Sequence, residues 1–235
     1  TTNENTHTYA AWNWKESASA GFDIVTYTGT GSNPQTRAHS LGVTPEMIIL
    51  KNKSGTNGDE HWAVYHHKSN ADAEDYWARL NTGDAFENLE MWNDTQPTSS
   101  VFTTQNHAIS NYDGDTFVAY LWSSVKGFSK IDSYVGNGNA NGPFVYTGFR
   151  PAWILLKHSS SSEHWYIYDN KRNTGNPLNL ELNTSTNQGD GTFIGPDFLA
   201  NGFRIRNNNS GLNTSGSTYI YLAFAEAPFK YANAR

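Results

Sequence analysis

Two stretches of the chain decide its fold, because the second is a close copy of the first. The first reads Gly42-Val43-Thr44-Pro45-Glu46-Met47-Ile48-Ile49-Leu50-Lys51, and 106 residues later the chain reads Gly148-Phe149-Arg150-Pro151-Ala152-Trp153-Ile154-Leu155-Leu156-Lys157. After a loop, Glu60-His61-Trp62-Ala63-Val64-Tyr65 follows the first copy and Glu163-His164-Trp165-Tyr166-Ile167-Tyr168 follows the second. An internal repeat of this kind has to be recognised first, because it sets the architecture.

Each copy predicts a pair of β-strands. The apolar run between the proline and the lysine is typical of a central strand covered on both faces. The aromatic run after the loop alternates, as a half-buried strand does. Pro45 and Pro151 fit only at strand starts, because proline cannot donate a ladder hydrogen bond.

A third pattern occurs three times, at residues 8–15, 116–123 and 218–225. All three stretches are apolar and aromatic, and all three predict the same closing strand of a repeat unit. We therefore expect residues 1–20 to hold the closing strand of a preceding unit plus a linker, as in a section of a tandem array. The alternative is an extra strand that completes a sheet within this chain.

The predicted fold is all-β, with two tandem, homologous, antiparallel β-sandwiches of the jelly-roll or concanavalin-like kind. The first unit is expected over residues 21–125 and the second over residues 126–235. Residues 84–92 predict a short helix or loop, and residues 111–115 and 207–217 predict hairpin turns. A propeller is less suitable, because its blades are only about 40–50 residues long.

The composition narrows the function classes. Charged residues are 16% of the chain, below the roughly 25% of an average domain, and aromatic residues are 14%. The net charge of −6 argues against a nucleic-acid partner, whose binding proteins are basic. No apolar stretch approaches the about 20 residues of a membrane-spanning helix. Without cysteine the redox compartment cannot be inferred, so an extracellular or virion location stays open.

Two motifs give the chain a resemblance to a known group of proteins. They are Ala-Phe-Ala-Glu-Ala-Pro-Phe at residues 223–229 and Phe-Val-Tyr-Thr-Gly-Phe-Arg-Pro-Ala at residues 144–152. From about Tyr9 to Arg235 the chain resembles an uncharacterised β-rich repeat domain of structural and tail-fibre-type proteins of marine tailed bacteriophages. The resemblance implies a virion or extracellular setting, contact with a host-surface polysaccharide or another virion protein, and a homo-oligomer such as a trimer. It supplies no catalytic residues.

The repeated His-Trp pair has two interpretations. Trp62 and Trp165 are expected to be core anchors, together with the apolar strand residues Ile48, Leu50, Ile154 and Leu156. The alternative is a sugar-binding role, in which the tryptophans stack on a sugar ring beside the hydrogen-bonding side chains of His61 and His164. Repetition alone does not favour function, because a repeated core must also recur.

Loops that the two copies do not share are the other expected binding positions, since ligand-binding residues concentrate on loops. The unshared loops are residues 54–59, 72–77, 86–92 and 207–213. Trp77, Trp92 and Tyr112 are the aromatic candidates for stacking on a sugar. For Trp77 and Trp92 the alternative is packing against the edge of the sandwich.

Metal and catalytic signals are weak. His66 and His67 point to opposite faces of a strand, which disfavours zinc, and residues 113–115 and 190–191 offer at most a weak calcium signal. Carboxylates for a glycosidase pair exist, including Glu87, Glu163 and Asp197, but they form no known motif. We expect no cofactor and a non-enzymatic structural or adhesion module of a phage particle. The alternatives are a polysaccharide-degrading enzyme and a carbohydrate-binding module of a secreted enzyme.

Overall fold

The computed structural model describes residues 5, 9, 11–55, 61–186 and 190–227. Within these residues the regular secondary structure is almost entirely antiparallel strand, which confirms the predicted all-β sandwich class. The described helical residues form two short 3₁₀ turns, Ala18–Ala20 and Ala73–Asp75, and one four-residue helix, α1 (Ser210–Asn213).

The first half of the chain, here called unit one, consists of eight strands in two sheets. In chain order the strands are β1 (Phe22–Thr28), β2 (Gln35–Ala38), β3 (Met47–Asn52), β4 (Trp62–His66), β5 (Tyr76–Arg79), β6 (Glu87–Asn88), β7 (Val101–Thr104) and β8 (Thr116–Trp122). Large sheet one has the order β1-β8-β3-β4-β5-β6, and small sheet one pairs β2 with β7.

The second half, here called unit two, repeats this plan with nine strands. They are β9 (Ser129–Val135), β10 (Phe144–Tyr146), β11 (Pro151–His158), β12 (Tyr166–Asp169), β13 (Leu180–Asn183), β14 (Gly191–Thr192), β15 (Pro196–Leu199), β16 (Gly202–Ile205) and β17 (Thr218–Ala225). Large sheet two has the order β9-β17-β11-β12-β13-β14, which matches large sheet one strand for strand. Small sheet two has the order β10-β16-β15 and gains β15 relative to unit one.

The two large sheets pack against each other, so both of their faces are buried. Ile48 and Leu50 of β3 point into the core of unit one, while Met47 and Ile49 belong to a middle cluster that includes residues of unit two. Ile154 and Leu156 of β11 point in the same way into the core of unit two. This double coverage explains the continuous apolar runs of the sequence, because almost every residue of β3 and β11 is buried.

The Gly-x-Gly turn after the first strand of each unit has a shared physical cause. A Cβ atom on Gly29 would lie 2.0 Å from the Tyr112 carbonyl oxygen, and one on Gly136 would lie 2.2 Å from that of Thr214. Any side chain at these two positions would displace the facing loop. The second glycine of each turn has positive φ, which side chains rarely adopt.

A buried asparagine closes each of these turns. Asn111 in unit one accepts from the Thr30 amide at 3.0 Å, and Asn213 in unit two accepts from the Asn137 amide at 2.7 Å. In the loop expected to be a hairpin turn, residues 210–213 form helix α1, which ends at Asn213, and the Asn209 side chain accepts from the Gly211 amide at its N-terminus.

The N-terminal segment differs from the expected closing strand. Residues 9 and 11–16 are not in a strand. Residues 1–4, 6–8 and 10 lie outside the described part of the chain. Trp12 and Trp14 instead pack their rings on Trp153 and Phe224 of large sheet two. The apolar content that predicted a strand is therefore used for side-chain packing on a sheet face.

Candidate functional site

A cleft lies where the N-terminal segment crosses unit two. It has a volume of about 320 Å³ and is lined by aromatic side chains from both parts. The Trp14 ring lies 5.7 Å from the ring of Trp153 and 5.4 Å from that of Phe224, and the Trp12 ring lies 6.2 Å from Trp153. Trp12 and Trp14 are half-buried, so part of each ring remains open to a ligand.

Most of the polar residues of this cleft lie at the end of β12 and in the turn that follows it. Asp169 is fixed there, because its carboxylate accepts from Arg172 Nε at 2.6 Å and from the amides of Lys171 and Arg172 at 2.9 Å. The Arg172 guanidinium lies 5.9 Å from the centre of the Trp12 ring, within cation–π range. A rigid turn thus holds Asn170 and Lys171 at the rim.

Two polar atoms at the cleft lack hydrogen-bond partners among the described residues. They are Nε1 of Trp153 and Oδ1 of Asn170, and both are buried. Asn170 is otherwise anchored, with Nδ2 donating to Glu226 at 2.9 Å. An unpaired buried polar atom costs about 1–3 kcal/mol, so each is a point where a ligand hydroxyl or carbonyl would gain a hydrogen bond after a small displacement.

The predicted ligand residues Trp77 and Trp92 are not available for stacking. Each is only 1% exposed, inside the core of unit one. Trp92 Nε1 donates to the Tyr76 carbonyl at 3.1 Å, and the Arg79 guanidinium covers the Trp77 ring at 4.4 Å. The expectation of exposed loop aromatics is wrong for these two, because Trp77 lies in strand β5 with its ring in the core and the segment that carries Trp92 packs on the same core.

The other predicted ligand residues do not form one site. Tyr112 is 45% exposed and lies at the Gly-x-Gly turn of unit one. His61 and His164 are half-buried. Nδ1 of His61 lies 3.3 Å from Asn81 Oδ1, and Nδ1 of His164 lies 2.6 Å from Ser185 Oγ. Glu60, which precedes His61, lies outside the described residues.

Trp62 and Trp165 both face the middle cluster and not the interior of their own sandwiches. Trp165 is 1% exposed, and its Nε1 donates to the Arg79 carbonyl of unit one at 3.0 Å. Trp62 is half-buried, stacked on Tyr120 at 6.5 Å. Both side chains are packing anchors, as expected, but they stabilise the contact between the two units.

Two buried basic groups also belong to the contact between the units. Burial lowers the pKa of His66 to about 3, and its neutral ring bonds the Tyr221 carbonyl of unit two at 3.3 Å. Burial lowers the pKa of Lys157 to about 8, and its Nζ donates to the Ser161 carbonyl at 2.8 Å. Both groups are enclosed, so their perturbed titration does not mark an open site.

A second polar group of residues lies beside β12 and β13. Tyr166 donates to Glu163 at 3.5 Å, and Tyr168 donates to Glu181 at 3.4 Å. Burial raises the pKa of the half-buried Glu181 carboxyl. Two carboxylates in different environments are what acid–base cleavage of a glycosidic bond needs.

Neither a metal cluster nor a membrane helix occurs in the described ranges. Across residues 11–55, 61–186 and 190–227 no three His, Asp or Glu side chains are grouped as metal ligands. In the same part of the chain no helix has the length and hydropathy to cross a bilayer.

The comparison with protein families assigns the chain to a family but not to a function. Residues 1–228 match the family described as "Domain of unknown function (DUF7483)", and the chain belongs to it. No curated protein and no solved structure matches.

Sequence reasoning noted Trp12 and Trp14 but missed their role in a cleft, and it missed Trp153 and Asn170 as its other walls. The cleft exists only because the N-terminal segment docks on unit two, and no local pattern encodes that contact. The aromatic content of residues 9–14 was the available signal.

Proposed function

We propose that this chain is a non-enzymatic, glycan-binding adhesion module, with the cleft of Trp12, Trp14 and Trp153 as its binding site. The observation behind the proposal is the combination of partly open tryptophan rings with unpaired polar atoms in one cleft. Aromatic faces pack on the C–H surfaces of sugar rings, while fixed polar groups select hydroxyl positions. The resemblance of the sequence to tail-fibre-type proteins supports a virion setting and a host-surface polysaccharide as the ligand.

A glycan array with the whole chain tests this proposal. We expect binding to at least one glycan, and at least a tenfold loss of affinity in Trp12→Ala and Trp14→Ala. Leu89→Ala removes an exposed apolar side chain of unit one and serves as the control. Equal affinity in the tryptophan variants and the control would refute the cleft as the site.

A polysaccharide-degrading enzyme is the second candidate, favoured by the Glu163 and Glu181 pair. Here Glu181, whose pKa is raised by burial, is the candidate general acid and Glu163 is the second carboxylate. A reducing-sugar assay on the glycans that bind decides between the candidates. Turnover that disappears in Glu181→Gln supports the enzyme, while binding without new reducing ends supports the adhesin.

A further inference from the structure

The outer face of small sheet two exposes two aromatic side chains. Phe144 is 41% exposed and Tyr146 is 63% exposed, and both lie on strand β10. Val145 between them is buried in the core of unit two, so the two rings share the outward face. Alternate residues of a strand lie roughly 7 Å apart, so the rings form a short row.

Gly202 on the neighbouring strand β16 makes room for this row. A Cβ atom at Gly202 would lie 2.9 Å from Cζ of Phe144 and 2.1 Å from the Val145 carbonyl oxygen. The Phe144 ring therefore extends across β16 and is held against its backbone. A ring supported in this way loses little entropy when a ligand packs on it.

Unit one has none of these features at the equivalent positions. Its strand β2 carries Thr36 where β10 carries Phe144, and Ala38 where β10 carries Tyr146, as the matching registers of the two small sheets show. Val101 stands where β16 has Gly202. Since unit one folds in the same topology without them, the fold does not require the two aromatic rings.

The residues around the row are polar. Arg204 lies opposite Phe144 in the ladder, with its Nη1 donating to Asn141 at 2.9 Å. Arg206 pairs with Asp197 at 3.4 Å on the next strand. The two rings expose roughly 200 Å² together, and Leu199 beside them on β15 is only partly exposed, so the apolar area stays well below the about 800 Å² that each partner buries in a stable protein interface.

We propose that this row is a second carbohydrate-binding surface, on which a linear polysaccharide lies across Phe144 and Tyr146. Its pyranose rings pack on the two side chains, and Arg204 and Asn141 face its hydroxyl or carboxylate groups. The inference extends the proposed glycan-binding function to a separate site and does not need the cleft. The small apolar area favours a sugar chain over a second copy of the protein.

The test replaces the two aromatic residues by those of unit one, in the double variant Phe144→Thr with Tyr146→Ala. Linear hexasaccharides of glucose, of N-acetylglucosamine and of a uronic acid are titrated into the whole chain, with aromatic NMR signals as the readout. We expect the Tyr146 signals to move in the wild type with at least one hexasaccharide, and the affinity of that shift to fall at least tenfold in single variants Phe144→Thr and Arg204→Ala. Leu89→Ala is the control.

The readout separates this inference from the proposed function. Signals that move only at Trp12 and Trp14 would overturn the second surface and leave the cleft standing. Shifts at Tyr146 that survive in Trp12→Ala support the second surface even when the cleft is lost. If the wild type sediments as an oligomer and the double variant as a monomer without any sugar present, the face is used for self-association and the inference is overturned. The absence of a Tyr146 shift with all three sugars would also overturn it.

Discussion

Unit one and unit two share their strand order and their turns but differ in the surfaces that they expose. The shared positions are mostly those that folding needs, such as the apolar runs of β3 and β11 and the buried Asn111 and Asn213. The difference lies on the outside, where unit two has the aromatic row and receives the N-terminal segment. The comparison teaches that repetition identifies the scaffold, and that departure from repetition identifies surfaces available to a partner.

Even repeated positions have unequal surroundings, and the tryptophan pair shows the largest consequence. Trp165→Ala should cost about 3–5 kcal/mol, because it empties a buried site and leaves the Arg79 carbonyl without its donor. Trp62→Ala should cost less than half as much, because Trp62 is half-buried. Urea unfolding of both variants measures the difference, and equal losses would contradict the unequal contact seen here.

The asparagine pair should behave more evenly. Asn111→Ala and Asn213→Ala each remove a fully buried amide that makes at least two hydrogen bonds to loop backbone, so each should cost about 2–3 kcal/mol. Thermal unfolding measures the loss. A much smaller effect in one variant would show that its turn is held by other contacts.

His66 provides a pH-dependent test of the contact between the units. Its folded-state pKa of about 3 lies below the ordinary value of 6.5, so its contribution is complete above pH 6.5 and is lost as the pH falls toward 3. At pH 5 this amounts to about 2 kcal/mol of stability lost relative to neutral pH. The His66→Gln variant keeps an amide that can donate to the Tyr221 carbonyl but does not titrate. Its melting temperature should therefore fall less than that of the wild type between pH 7 and pH 5. An equal fall in both proteins would assign the pH dependence to other groups, such as the neighbouring His67.

The smallest effect is expected on the aromatic row. Replacing Phe144 by threonine and Tyr146 by alanine gives unit two the side chains of unit one and should change stability by less than about 1 kcal/mol, since both rings are largely exposed. Calorimetry of the double variant measures this. A loss above about 2 kcal/mol would make the rings part of the fold.

The sequence predicted the sheets better than the site. The apolar runs at Ile48 and Ile154 and the prolines before them indicated central strands, because these signals are local and repeated. It did not indicate that Trp62 and Trp165 pack between the units, since alternation separates two faces of a strand without saying what covers each. The burial of Trp77 and Trp92 was equally inaccessible, because it depends on how strand β5 and the segment after β6 pack on the core of unit one.

The face-to-face stack of the two large sheets has a practical consequence for anyone who divides the chain. Cutting near residue 125 would leave each half with a broad apolar sheet in water, Trp165 and Leu155 on one half and Ile49 and Val64 on the other. Such halves should precipitate or associate with each other, and mixing them should restore solubility. The pair of sandwiches is thus the smallest unit in which either surface can be studied.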